Sequence, residues 1–86
     1  MFTPTDVLER VLRRPFVPLR IVTSSGEQFD IYHPDLVLVG DRDVAVGTAS
    51  SQDPRRYSTL SRLAIVHITA LVDLPVAAQP QANGEP

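Results

Sequence analysis

The chain has 86 residues, no cysteine, a formal net charge of −2, and 43% hydrophobic against 21% charged residues. That length allows one domain, the missing cysteines remove disulfides and thiolate metal sites together, and the apolar content is that of a folded chain rather than a disordered one. The acidic balance argues against broad electrostatic capture of nucleic acid or an anionic membrane, and no stretch approaches the roughly 20 apolar residues of a membrane span.

A core this small buries only about 60% of the surface that its unfolded chain exposes. With disulfides excluded, self-association is the open route to further stabilisation. The 8 basic residues are all arginine, a bias that coding composition explains more simply than a need for bidentate contacts. The opening MFTPTDVLERVLRR lacks the charged-then-apolar order of a secretory signal, so a cytoplasmic location is expected.

The spacing predicts a short helix at the start. Thr3 suits the N-cap, Pro4 the first helical position, and Asp6 the exposed amides of the first turn. Val7, Leu8, Val11 and Leu12 form an apolar stripe, Arg10, Arg13 and Arg14 fall toward the negative end of the dipole, and Pro15 stops the helix.

VPLRIVTSSGEQFDIY reads as a hairpin: Leu19 and Ile21 alternate with Arg20, Ser24, Ser25 and Gly26 turn the chain, and Phe29 and Ile31 alternate with Gln28 and Asp30. In FDIYHPDLVLVG the alternation breaks at His33 and Pro34, since proline cannot donate to a ladder. A bend is expected there, with Leu36 and Leu38 turned to the same core as Phe29 and Ile31. The run from Leu36 to Val39 is apolar on both faces, which suits a strand buried on both sides.

Gly40 to Asp43 form the next turn and VAVGTA the next strand, where Gly47 suits a bulge or a close backbone approach. SSQDPRR is an exposed loop. Leu60, Leu63, Ala64, His67 and Leu71 fit a helical face, yet Ile65, Val66, Ile68, Thr69 and Val72 are β-branched and favour strands with a tight turn near Ser61 and Arg62. Residues 3–74 form the expected single domain and 75–86 a flexible tail.

A short helix followed by about five strands, one strongly bent, is the order of small SH3-like and Sm-like barrels. VLRRPFVPLRI resembles the stretch of the bacterial Sm-like RNA chaperones in which an arginine-rich helix end leads into the first strand. SSGEQF stands at their hairpin turn and RLAI at their second signature. The resemblance implies RNA binding through Arg13, Arg14 and Arg62. Two family positions depart from the pattern: Leu63 replaces a histidine of the pore-facing pair, and Ile31 replaces the glycine that lets the second strand bend. The chain also resembles a family of short bacterial proteins with the pattern Pro-Phe-x-Pro-Phe-Arg-Ile followed by aromatic-x-Ile-x-His-Pro-acidic. That pattern reads here as RPFVPLRI, with Leu19 in place of the second phenylalanine, then the turn glycine Gly26 and FDIYHPD, and this likeness implies no activity.

His33 lies near Asp30 and Asp35, which suits a metal or general-base site; a strand-breaking His-Pro-Asp with Asp35 capping the bend explains the same residues with less. His67 lies in an apolar run and is expected to be buried and neutral. The serines at 50, 51, 58 and 61 lack a nucleophile elbow, and no glycine-rich phosphate loop is present. Arg10, Arg13 and Arg14, joined by Arg55 and Arg56, make the basic cluster, with Tyr32 and Tyr57 as scattered stacking surfaces. The expectation is a non-enzymatic module without cofactor, metal or small-molecule substrate, which self-associates or docks a protein partner. The alternative is an Sm-like RNA-binding ring.

Overall fold

The computed structural model describes residues 1–75. Of the expected tail, only Pro75 falls inside that range, and 76–86 lie outside the described residues. Helix α1 (Pro4–Val11) opens with a reciprocal cap. The Asp6 amide donates to Thr3 Oγ1 at 3.2 Å and the Thr3 amide donates to Asp6 Oδ2 at 2.8 Å, which satisfies donors that the first turn leaves unpaired. The helix ends at its C-cap Leu12, three residues before Pro15. Half of the expected stripe is buried: Val7 and Val11 enter the core, whereas Leu8 and Leu12 face solvent.

Strands β1 (Leu19–Thr23), β2 (Gln28–Ile31), β3 (Val37–Val39), β4 (Asp43–Ala49), β5 (Tyr57–Ala64) and β6 (Ile68–Asp73) follow. They form two antiparallel sheets of three strands, ordered β2-β1-β6 and β3-β4-β5. The protein is mainly β, as expected, but with six strands rather than about five. Among the described residues no ladder joins the two sheets, so they do not close into a barrel.

The β1–β2 hairpin follows its alternation. Leu19 and Ile21 are buried while Arg20 and Asp30 pair across the outside, with Arg20 Nε donating to Asp30 Oδ1 at 2.7 Å. Gly26 sits at φ +91° in the turn, a conformation that costs an L-residue side chain about 1–2 kcal/mol.

The bend at His33 and Pro34 is real. A single 3-10 turn, Pro34–Leu36, carries the chain from the first sheet to the second, and the Leu36 amide donates to the His33 carbonyl at 3.1 Å. No side chain caps this turn, so Asp35 does not act as expected. Pro34 fixes φ at the start of the turn and holds His33 in an extended conformation.

Two further expectations give way. Strand β5 runs through Ser61 and Arg62 without a turn, and the break comes later, at a second 3-10 turn, Ile65–His67. Strand β3 is not covered on both sides: Val37 is buried, but Leu38 is 69% exposed. The common core is built from Val7 and Val11 of α1, Leu19 and Ile21 of β1, Ile31 of β2, Val37 of β3, Val44 and Val46 of β4, and Leu63, Ile65 and Ile68. Leu38 has no place in it, Leu36 is buried outside it beside Gly47 of β4, and Phe29 packs against it only in part.

Candidate functional site

In antiparallel pairs, directly opposed residues project to the same face, so the register of the second sheet sorts its side chains. Val37, Val46 and Ser61 oppose one another on the core side, as do Val39, Val44 and Leu63. On the outer side stand Leu38, Ala45 and Arg62 in one row, Gly47 and Leu60 in the next, and Ala49 and Tyr57 beyond the bulge.

The central strand thus presents only Ala45, Gly47 and Ala49 outward over its apolar half, while the flanking strands present Leu38, Leu60 and Tyr57. These three are 69%, 48% and 56% exposed. Gly47 itself is buried, so the solvent-facing part of this surface is the set of exposed apolar side chains, Leu38, Leu60 and Tyr57, that the two flanking strands present on either side of β4. Leu36 is buried, and its Cδ2 lies 3.4 Å from where a Cβ on Gly47 would stand. On the other side, the Tyr57 Cβ lies 2.6 Å from that position. Gly47 is therefore required by close approach, not by its backbone angle, and the register shift expected near it falls between Thr48 and Ala49.

At the polar end of this face, Arg62 donates to Asp43 Oδ2 from Nε at 3.1 Å and from Nη2 at 2.8 Å. Arg62 also lines a shallow cleft of about 280 Å³ between the β1–β2 turn and the end of β5, together with Thr23, Ser25, Glu27, Leu63 and His67. That volume falls just below the range of ligand sites, roughly 300–1,000 Å³. His67 is exposed at its rim rather than buried, because the 3-10 turn swings it out of the phase it would hold in a regular strand.

The arginines at the helix end are occupied within the molecule. Arg10 Nη1 donates to the Leu71 carbonyl at 3.4 Å, Arg13 binds both carboxylate oxygens of Asp73 at 3.0 and 3.2 Å, and Arg14 Nη1 donates to the carbonyls of Val11 and Arg13. Arg55 and Arg56 pair with Asp53 in the β4–β5 loop, and the Arg55 hydrogen bonds hold the Asp53 carboxyl below the usual carboxylate range.

The expected site residues are not brought together. Asp73, which holds Arg13, pairs with Leu19, whereas the cleft that contains Arg62 lies at the Thr23 end of β1, opposite Ile68. Four residue steps along β1 separate these ends, about 13 Å at the rise of a β-strand. His33 is half-buried at the bend, and among the described residues no three histidines or carboxylates gather as a metal-binding group.

Sequence reasoning missed this exposed apolar face. The signal was present in Leu38 and in the alternation Ala45-Gly47-Ala49, which leaves one face of a central strand without bulk. Among the described residues no helix is long and apolar enough to cross a membrane. Comparison with protein-family models, with curated proteins and with solved structures returned no match.

Proposed function

We propose that this protein is a non-enzymatic interaction or assembly module, which docks protein on the outer face and open β5 edge of its second sheet. The carrying observation is the exposed apolar group on this face: Leu38, Leu60 and Tyr57 stand exposed on the strands to either side of β4. Scattered apolar residues on a surface need no explanation, but a contiguous group on one sheet face marks an interaction site. A cytoplasmic location and an opened form of the SH3-like or Sm-like barrel belong to the same proposal.

The RNA-binding alternative is less well supported, since Arg13 and Arg62 are each paired with a carboxylate and lie at opposite ends of the β1–β6 ladder. Sedimentation velocity over a concentration series, on wild type and on a Leu38→Asp, Leu60→Asp double variant, tests the reading. Association, with itself or with a purified partner, should be present in the wild type and lost in the variant. Unchanged association of the variant would remove this face from consideration.

A further inference from the structure

The two sheets have four edges, and three are defended. Strands β2 and β3 have only 4 and 3 residues, and short edges template poorly. Strand β6 is guarded by the helix. The Leu74 amide donates to the Pro18 carbonyl, so by alternation Val72 and Ala70 bond toward β1, and Leu71 and Asp73 turn their backbone groups outward. Arg10 donates to the outward Leu71 carbonyl and Arg13 holds the Asp73 side chain.

Strand β5 has none of these defences. It has 8 residues, no proline, and four successive exposed residues from Tyr57 to Leu60. Its hydrogen-bond phase follows from the ladder. The Ile65 amide donates to the Arg42 carbonyl at 2.9 Å, and the register holds unbroken from Asp43↔Ala64 to Thr48↔Thr59. Leu63, Ser61 and Thr59 therefore bond toward β4, while Arg62 and Leu60 point their N–H and C=O groups away from it. Ser58 is skipped by the ladder at the bulge, and its hydroxyl donates to the Thr48 carbonyl at 3.4 Å.

We propose that a second copy of this chain adds across that edge, antiparallel, with the two-fold axis at Leu60. The inference rests on the reading of this face as a docking surface and names its occupant. In this register Leu60 exchanges both backbone hydrogen bonds with Leu60 of the second copy, and Ser58 lies opposite the other copy's Arg62. Leu60 and Arg62 are outward-bonding residues, and a perpendicular two-fold axis keeps each outer face beside its counterpart, so the exposed apolar side chains of the two copies adjoin.

Charge selects this register over its neighbours. Arg62 is the single charged residue of β5; an axis at Arg62 sets the two guanidinium groups against each other, and one at Ser61 sets each against a leucine. The axis at Leu60 places each beside Ser58, whose hydroxyl donates to the Thr48 carbonyl and keeps its acceptor capacity, and leaves the pair with Asp43 intact. Pairing to β6 of another copy is disfavoured by the Arg10 and Arg13 contacts along that edge. A strand edge of this length falls below the roughly 1,200 Å² of standard interfaces, so the dimer should dissociate on dilution.

The absence of cysteine makes single-cysteine cross-linking a direct test of register. Hydrogen-bonded antiparallel partners have Cα atoms about 5.5 Å apart, within the range of roughly 4.4–6.8 Å that a disulfide spans. Leu60→Cys should form a covalent dimer on mild oxidation at concentrations where sedimentation shows a dimer. Ser58→Cys and Arg62→Cys should each stay monomeric under denaturing conditions, and an equimolar mixture of the two should cross-link. Leu60→Arg, at a half-exposed position, should retain its circular dichroism and weaken dimerisation at least about tenfold, whereas Leu38→Asp on the far strand should leave it unchanged. A wild type that stays monomeric at every concentration overturns the inference. A dimer that the Ser58→Cys or the Arg62→Cys variant alone cross-links overturns the register, and a dimer abolished by Leu38→Asp overturns edge pairing while leaving docking on the face itself standing.

Discussion

Arg13 at the end of the helix and Asp73 at the end of β6 are 60 residues apart in sequence and meet through two hydrogen bonds, Nη2 to Oδ1 at 3.0 Å and Nη1 to Oδ2 at 3.2 Å. The pair fastens the helix end to the last strand. The hydrogen bonds from Arg13 hold the Asp73 carboxyl below its ordinary range. A depressed folded-state pKa stabilises the fold above the unfolded value of about 3.9, and that stabilisation is lost as pH falls through the folded value.

The Asp73 side chain is 50% exposed, so solvent screening limits the effect to at most about 1 kcal/mol. Asp73→Asn should therefore lower the melting temperature at pH 7, with the gap to wild type narrowing as pH falls below about 4 and as salt rises. Thermal melts over a pH and salt series check this, and a gap that persists at pH 2 would assign the loss to packing instead.

Gly47→Ala should destabilise the protein by about 1–3 kcal/mol, the usual cost of overpacking. The new methyl group would stand 2.6 Å from the Tyr57 Cβ, an atom fixed to the backbone that cannot rotate away. Urea denaturation measures the cost. An unchanged midpoint would mean that β4 and β5 spread apart at the bulge without loss.

The parts of the fold legible in the sequence are those determined by near neighbours. Thr3, Pro4 and Asp6 announce a cap because all three act within one turn, and Gly26 announces a hairpin because no other residue adopts its backbone angle so readily. His33-Pro34 announces a bend for the same local reason. What escaped depends on the rest of the molecule. A run apolar on both faces does not reveal which face another layer covers, so Leu38 reads as core. Ser61 and Arg62 look like a turn because both are polar, although one stands half-buried on the core side and the other on the exposed side, and only the unbroken ladder to β4 shows that they continue the strand. The helix-end arginines read as a free cluster because their partners, Leu71 and Asp73, lie about 60 residues on.

Adjacent residues of β3 should respond oppositely to substitution. Leu38→Asp places a charge where the side chain is already exposed, and monomer stability should change by no more than about 0.5 kcal/mol. Val37→Ala removes buried methyl groups from the common core and should cost about 2 kcal/mol. Denaturant titrations of both variants decide the matter, and a large loss from Leu38→Asp would show that the outer face is covered by another copy under the conditions used.

The crossing between the sheets yields a graded set of losses. Ile31, the last residue before the crossing, is fully buried in the core, and Phe29 packs against it only in part. Ile31→Ala should therefore cost about 2–5 kcal/mol and exceed Phe29→Ala, despite the larger side chain lost at position 29. His33 contributes its carbonyl to the turn and no side-chain cap, so His33→Ala should cost less than about 1 kcal/mol. Pro34→Ala keeps the residues that pack but frees φ in the unfolded chain, which should cost about 0.4–1 kcal/mol. Urea midpoints of the four variants give the order Ile31, Phe29, then Pro34 and His33 together. If His33→Ala proved as costly as Ile31→Ala, its imidazole would have to be holding the crossing, and the bend could no longer be explained by proline geometry and backbone bonding alone.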